Sequence, residues 1–261
     1  MDSPLWISAF LDLPGSSFER GVMFWSEVAG CRVSAPRGAR REFATLVPPT
    51  GEPYLKVQRL DEGAPGLHLD LHVGDPEAAA AEAVSLGATV VADRILPEGY
   101  LVLSSPGGFV FCFVEHGTHD GSTRTHDRSR GTGDRPSGTG DRSSAVDQVC
   151  LDIPSRGHDQ ECAFWAAVTG WAHVPSPGHD EFSALERPLG SPLRLLLQRL
   201  GESSGPVRAH FDLAAEDRAA EVRRHAQLGG QLEREESEWT VMRDPAGSAY
   251  CITDRRPNLG G

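Results

Sequence analysis

Short runs of alternating apolar and polar residues precede stretches of helical spacing, and this order occurs twice along the chain. Residues 7–14 (ISAFLDLP) and 146–154 (VDQVCLDIP) alternate like half-buried strands, and each run ends at a proline. The stretch after each run repeats its apolar residues at spacings of three and four and ends at Gly30 or Gly170. Such spacing with a closing glycine is typical of an amphipathic helix with a glycine C-cap.

The remaining segments of the first copy complete two similar modules. Strands are predicted near residues 42–47 and at 54–60, together with a short third strand that the pattern does not place. A new strand, helix and three strands then follow, and their segments are 66–75, 76–87, 88–95, 99–106 and 108–116. Each copy is therefore predicted to be an α+β domain of two βαβββ modules.

The two copies can be aligned directly with each other. The segment FWSEVAG at 24–30 recurs as FWAAVTG at 164–170, and LKVQRL at 55–60 recurs as LLLQRL at 195–200. A repeat of this length indicates duplication of a whole domain. We predict an N-terminal domain at residues 1–115 and a C-terminal domain at residues 146–261 that pair with each other within one chain.

The segment between the copies, residues 116–145, has a different composition. It has no aromatic residue, almost no apolar residue, and many Gly, Ser, Thr, Asp and Arg residues. Such a segment cannot offset the entropy of ordering by burying apolar surface. It is predicted to be a flexible tether between the two domains.

Composition and charge exclude several classes of partner. The 261 residues are 39% hydrophobic, which is enough to form a core, and the formal net charge is −12. A negative surface repels nucleic acid and anionic membranes, so neither is expected as a partner. The N-terminal segment resembles neither a signal peptide nor a membrane span, and the five cysteines form no CxxC pair. A cytoplasmic protein with reduced thiols is the expectation.

The ordered set of motifs resembles a known superfamily. A first strand, a helix with FW before a glycine, an HxDL strand, a helix ending in LG, and a closing turn and strand follow one another in both copies, and the last segment reads SPGGFVFC at 105–112 and DPAGSAYC at 244–251. This order is similar to that of the vicinal oxygen chelate superfamily, which includes glyoxalase I, bleomycin-resistance proteins and extradiol dioxygenases. The nearest type is the actinobacterial glyoxalase-like protein with two domains. The resemblance implies tandem glyoxalase-like domains, each with a curved sheet whose concave face forms a ligand cavity.

Strand alternation predicts which side chains line these cavities. Successive residues of a strand point to opposite faces, so His68 and Asp70 share one face while Leu69 and Leu71 face the helices. The same reasoning places His210 and Asp212 in the C-terminal cavity. Tyr100 and Trp239 precede the closing strands and are predicted to cover the pockets. The expected ligand-binding residues are His68, Asp70, Gln58, Tyr100, His210, Asp212, Gln198 and Trp239. No catalytic residue is assigned from the sequence.

The resemblance also implies four positions for metal ligands in each domain. In the N-terminal domain they hold Ser8, Gln58, His68 and Cys112, and in the C-terminal domain Gln148, Gln198, His210 and Cys251. Only the histidines match the superfamily well, because both expected glutamates are absent, and these would supply negative charge and a base. If a metal ion binds, the set Gln148, Gln198, His210 and Cys251 is the candidate.

Two functions remain open on this reasoning. One is a small-molecule binding protein of the bleomycin-resistance type that needs no cofactor. The other is an enzyme of the lyase, isomerase or dioxygenase type that uses a divalent metal ion in the C-terminal domain. The missing glutamates favour the first, and the repeated His-x-Asp pairs keep the second open. The expected partner is a small molecule, and the sequence leaves further oligomerisation undecided.

Overall fold

The fold consists of two similar domains, each built on one eight-stranded sheet. A computed structural model describes residues 3–91, 100–117 and 144–257 of the chain. The strand order is β2-β3-β4-β1-β5-β8-β7-β6 in the first sheet and β10-β11-β12-β9-β13-β16-β15-β14 in the second. The two orders are equivalent, which confirms the predicted tandem α+β domains of two βαβββ modules each.

The N-terminal domain contains the first eight strands and two helices. The strands that bear on the cavity are the central ones, β1, β4, β5 and β8, because they carry the histidine, carboxylates and thiol. The bounds are β1 Trp6–Pro14, α1 Phe18–Ala29, β2 Arg32–Val33, β3 Phe43–Val47, β4 Leu55–Leu60, β5 Gly66–Val73, α2 Pro76–Ser85, β6 Thr89–Val90, β7 Tyr100–Ser104 and β8 Val110–Glu115. The short third strand that the sequence did not place is β2.

The C-terminal domain repeats this order. The bounds are β9 Ser144–Pro154, α3 His158–Thr169, β10 Ala172–Pro175, β11 Phe182–Glu186, β12 Arg194–Leu200, β13 Arg208–Ala215, α4 Arg218–Gln227, β14 Gln231–Glu235, β15 Trp239–Arg243 and β16 Ala249–Thr253. Strand β9 begins at Ser144, so it includes two residues that the sequence assigned to the tether. Residues 116 and 117 form a turn after β8, and residues 118–143 lie outside the described residues.

Helix termini follow from local sequence. Gly30 and Gly170 close α1 and α3 in the left-handed conformation, with φ of 56° and 69°, which glycine adopts without a steric penalty. The Asp75 and Asp217 side chains accept hydrogen bonds from Ala78 and Ala220 at the starts of α2 and α4. These carboxylates satisfy backbone donors that the helix itself cannot pair.

The two domains pack through the faces of their sheets that carry the helices. Strands β5 and β13 contact each other. The Trp25 ring of α1 packs edge-on against Phe211 and Tyr250 of the second sheet, and Trp165 of α3 packs in the same way against Phe111 of the first. Each domain therefore completes the core of the other, and pairing within one chain is a property of the fold.

Buried carboxylates accept hydrogen bonds from the indole N–H groups of the two tryptophans at this interface. Trp25 Nε1 donates to Asp244 Oδ2 at 2.7 Å, so the acceptor comes from the other domain. Trp165 Nε1 donates to Glu161 Oε1 at 2.8 Å, and Gly107 N from the first domain donates to Glu161 Oε2 at 2.8 Å. Both carboxylates are buried, and each links the two domains through charge-assisted hydrogen bonds.

The strand faces agree with the alternation in the sequence. Leu69, Leu71 and Leu213 are fully buried in the core and Phe211 is nearly so. All five cysteines are free thiols. Within the described residues, no helix combines the length and the apolar character that crossing a membrane requires.

Candidate functional site

The cavity-facing residues of the C-terminal sheet form regular rows because the strand register aligns them. In one row, Arg194 of β12 lies beside Gln148 of β9, which lies beside Asp212 of β13, which lies beside Cys251 of β16. In the next row, Leu196 lies beside Cys150, and Cys150 beside His210. Neighbouring strands are about 5 Å apart, so these side chains interact across the floor of the cavity.

The imidazole of His210 lies between two carboxylates. Its Nδ1 is 3.0 Å from Asp152 Oδ2, and its Nε2 is 3.3 Å from Asp212 Oδ1. Asp152 of the neighbouring strand thus holds Nδ1, whereas Asp212 of the same His-x-Asp pair faces the opposite nitrogen.

This environment fixes the protonation of the floor. Burial by itself lowers the pKa of His210, but Cys150 and the hydrogen bonds with Asp152 and Asp212 outweigh it, and the pKa lies well above its usual value. Burial raises the pKa of Asp212, but His210 more than compensates and the net pKa is lowered. An imidazolium between carboxylates is the state that these shifts favour at neutral pH. His210, which the sequence predicts to bind the ligand, thus lines the cavity and also contacts two neighbouring carboxylates.

The first-strand glutamine is held by other side chains. Gln148 Nε2 donates to Asp212 Oδ2, and Gln148 Oε1 accepts from Arg255 at 3.2 Å. Arg255 also forms an ion pair with Asp147 at 2.7 Å. Among the described residues Asp212 Oδ1 is a buried oxygen that makes no hydrogen bond of good geometry, and it faces His210 Nε2 at 3.3 Å as the second half of an ion pair.

The thiols on the floor are neutral. Burial raises the pKa of Cys150 to about 12 and also raises that of Cys251. Cys150 Sγ lies 3.7 Å from Gln198 Oε1. A thiolate is the reactive and metal-binding form of cysteine. Because their raised pKa keeps both thiols protonated at neutral pH, the two cysteines behave as small buried residues.

The C-terminal cavity has a volume of about 630 Å³ and is covered where the sheet curls. Strands β11 and β15 lie near opposite edges of the sheet, yet the rings of Phe182 and Trp239 pack at 5.9 Å between centroids. His179 Nε2 and Glu238 Oε2 approach to 2.9 Å at the same place. We call these four residues the clasp. The predicted role of Trp239 as a cover agrees with this position.

In the N-terminal domain the equivalent space contains side chains. Phe10 stacks on His68, with ring centroids 4.6 Å apart, and Lys56 Nζ lies 3.5 Å from Asp70 Oδ2. The equivalents of Phe10 and Lys56 in the C-terminal domain are Cys150 and Leu196. His68 Nδ1 is 2.8 Å from Asp12 Oδ2, and the pKa of His68 is raised, because Asp12 and Asp70 outweigh the effect of burial. The floor is thus similar, but Phe10 and Lys56 cover it.

The sequence-predicted site residues separate into two groups. Gln148, Gln198, His210, Asp212, Trp239 and Cys251 all line the C-terminal cavity. In the other domain, His68 and Asp70 form the floor, Gln58 lies opposite Asp12 in the sheet register, and Tyr100 begins β7 opposite Val114. Sequence reasoning missed Arg194 and Arg255 as cavity residues. Alternation along β9 places Asp152 on the face of Gln148, but the sequence assigned it no role.

The expected metal ligands Gln148, Gln198, His210 and Cys251 all line the C-terminal cavity, but other side chains already engage some of their donor atoms. Arg255 donates a hydrogen bond to the side-chain oxygen Oε1 of Gln148, which is the atom that would coordinate a metal ion. In the N-terminal domain, donor atoms within 4.8 Å of one another belong to His68, Asp70 and Cys112, and in the C-terminal domain to Cys150, His210 and Asp212. Two of the latter three donors are protonated at neutral pH on the pKa directions above, and a metal ion requires them deprotonated.

Comparison with known proteins gives a clear family and distant structural relatives. The family model described as "Glyoxalase-like domain" matches the sequence twice, at residues 9–114 and 148–253. No curated protein matches.

Among solved structures, the Mn(II)-bound glyoxalase from Novosphingobium aromaticivorans is 17% identical with a TM-score of 0.62, over 97% of this chain and 83% of that one. A variant of homoprotocatechuate 2,3-dioxygenase from B. fuscum is 15% identical with a TM-score of 0.59, over 97% and 72% of the chains. The chain spans 49% of a xylose isomerase-like TIM barrel/4-hydroxyphenylpyruvate dioxygenase fusion protein, which matches all of this chain at 16% identity and a TM-score of 0.58. These likenesses show the fold alone. The two matches to the family model cover most of the sequence, and the chain therefore belongs to the glyoxalase-like domain family.

Proposed function

We propose that this protein binds a small organic molecule in the C-terminal cavity, in the manner of the bleomycin-resistance proteins, without a complete catalytic metal site. The observation that carries the proposal is the cavity of about 630 Å³ with apolar walls and a polar floor. Pockets of this size and lining are typical of small-molecule sites.

The composition of the cavity supports binding rather than a collapsed, purely structural domain. Leu196, Leu200 and Val241 form apolar walls, and the aromatic pair of the clasp covers them. The floor carries the paired charges of Asp152, His210 and Asp212 and, beside them, Arg194. A ligand that buries an apolar part and places a polar group on this floor would match both features.

The N-terminal domain has a different role in this proposal. Phe10 and Lys56 cover its floor, so we infer that it stabilises the C-terminal domain through the shared core rather than binding the ligand.

The two domains suggest the experiment. Leu196→Lys places in the C-terminal cavity the cation that Lys56 supplies in the other domain, and Lys56→Leu is the reciprocal control. The probes are those members of a fragment library that raise the melting temperature of the wild type. We expect Leu196→Lys to abolish this increase and Lys56→Leu to retain it. Equal loss in both variants, or retention in Leu196→Lys, would reject the C-terminal cavity as the site.

A metal-dependent lyase, isomerase or dioxygenase is the second candidate. The proximity of donor atoms on Cys150, His210 and Asp212 favours it, because thiolate, imidazole and carboxylate are common zinc ligands. Metal analysis of the purified protein separates the two. We expect no stoichiometric metal and ligand binding that survives chelation. A stoichiometric ion that disappears in Cys150→Ser would instead support the enzyme.

A further inference from the structure

One charged group in the C-terminal cavity has no direct partner. The guanidinium of Arg194 is half-buried and lines the cavity. Within residues 3–91, 100–117 and 144–257, no carboxylate lies within ion-pair distance of it and no acceptor forms a hydrogen bond with it. Every other charged group of the floor is paired: Arg255 with Asp147, and His210 with Asp152 and Asp212.

The surroundings of Arg194 make a charged guanidinium without a partner unfavourable. Burial lowers its pKa, and the positive charge of Arg255 lowers it further. A guanidinium removed from water and placed near another cation is stabilised by an anion that it can bind through two parallel N–H groups. Asp147 and Asp212 act on it only from a longer distance.

The other domain has no equivalent cation. The repeat offset of 140 residues places Tyr54 at the position of Arg194, and the Tyr54 hydroxyl donates to the backbone oxygen of Val146 at 2.7 Å. The tyrosine therefore serves the contact between the domains, whereas the arginine faces the cavity. This difference separates a structural position from a ligand-binding one.

We propose that the ligand of the C-terminal cavity is a small organic acid, whose carboxylate binds Arg194 and whose apolar part contacts Leu196, Val241 and the aromatic pair of the clasp. This inference rests on the proposed function. A carboxylate fits better than a phosphate ester because Asp152, Asp212 and Asp254 line the same cavity and would repel a dianion more strongly. One free guanidinium also matches one carboxylate in charge and geometry.

Three probes of similar size test the inference: phenylacetate, its neutral amide phenylacetamide, and phenyl phosphate. Binding to the full chain is followed by NMR at the indole N–H of Trp239, which a Trp239→Phe variant assigns. We expect the wild type to bind the acid at least about ten-fold more tightly than the amide. Arg194→Gln should bind both alike. Lys56→Gln removes a cation of equal charge from the other domain and should keep the preference.

A second variant protects the test against a folding defect. Arg194→Lys keeps the positive charge but loses the planar pair of donors, so the preference for the acid should decrease without disappearing. The comparison of acid and amide on the wild type needs no variant.

The outcomes distinguish the two proposals. If the amide binds as tightly as the acid, or Arg194→Gln keeps the preference, the organic-acid inference is wrong while cavity binding stands. Tighter binding of phenyl phosphate than of phenylacetate would reject the assignment to a carboxylate. If none of the three probes perturbs the Trp239 signal, both the inference and the proposed function are wrong.

Discussion

The hydrogen bonds of Asp244 at the domain interface allow a quantitative prediction for Asp244→Ala. Asp244 Oδ2 accepts from Trp25 Nε1, and Oδ1 accepts from the backbone N–H groups of Ala246 and Ser248 at 2.9 and 2.8 Å. Trp25 is almost fully buried, so water does not replace its acceptor. A buried donor left without a partner costs about 1–3 kcal/mol, and a bond to a charged acceptor lies at the upper end of that range. The two turn donors are partly accessible and contribute less. We expect Asp244→Ala to lower the free energy of unfolding by about 3–4 kcal/mol.

Two further variants separate the interface from the turn. Asp244→Asn keeps the shape but supplies one acceptor oxygen instead of two, so it should cost about 1–2 kcal/mol. Ser105 occupies the same place in the first copy and accepts a single hydrogen bond, from Phe109 N at 3.0 Å. Ser105→Ala should therefore cost only about 1 kcal/mol.

Urea unfolding of the full chain, followed by circular dichroism and by tryptophan fluorescence, measures these differences. In a Trp25→Phe background the donor is absent, so Asp244→Asn should cost less than it does in the wild type. The double-mutant cycle isolates this coupling. A cost below about 1 kcal/mol for Asp244→Ala, or no coupling to Trp25, would refute the view that this carboxylate joins the domains.

Three other predictions follow from the structure. Trp239→Ala opens the clasp and should increase the dissociation rate of a bound probe in stopped-flow measurements, whereas Tyr100→Ala in the other domain should leave it unchanged; equal effects would contradict the clasp. Burial lowers the pKa of His225, so its folded pKa lies below its unfolded value, and it contributes full stability above about pH 6.5 and loses it on acidification. The stability advantage of the wild type over His225→Gln should decrease from pH 7 to 5, and a constant difference would refute this assignment. Limited proteolysis should first cut within residues 118–143, which lie outside the described residues, and leave two resistant fragments; an early cut within either sheet would contradict the tether.

Much of the fold could be predicted from alternation and duplication alone. The face of each strand depends only on its own sequence, so Leu69 and Phe211 could be assigned to the core before the sheet was known. The ends of the first helix in each copy could be placed at Gly30 and Gly170 for the same local reason, because glycine commonly closes a helix. Such features need no knowledge of which strands are neighbours.

The side-chain contacts in the site depend on which strands are neighbours and in what register, and the sequence of a single strand does not give this information. The partner of His210 is Asp152, because β9 and β13 are antiparallel with His210 opposite Cys150. Alternation gives the face of each residue, but the register between strands decides which side chains touch. Arg255 lies beyond the last strand, where no periodicity constrains its direction, so its contact with Gln148 could not be foreseen.

The difference between the two cavities was nevertheless visible in the sequence. Aligning the copies places Phe10 against Cys150 and Lys56 against Leu196, all on cavity-facing positions. The tryptophan that packs into the opposite domain is present in both copies, at Trp25 and Trp165. Packing of the shared core requires the same residues from both copies, whereas a ligand requires an open, charged floor from only one. Core positions that agree between the copies therefore mark the demands of the fold, and we propose that cavity-facing positions that differ mark the domain that binds. By this criterion we expect the exchange of Tyr54 for a free guanidinium at Arg194 to have the greatest functional consequence, since it replaces a contact between domains with a charge that faces the cavity.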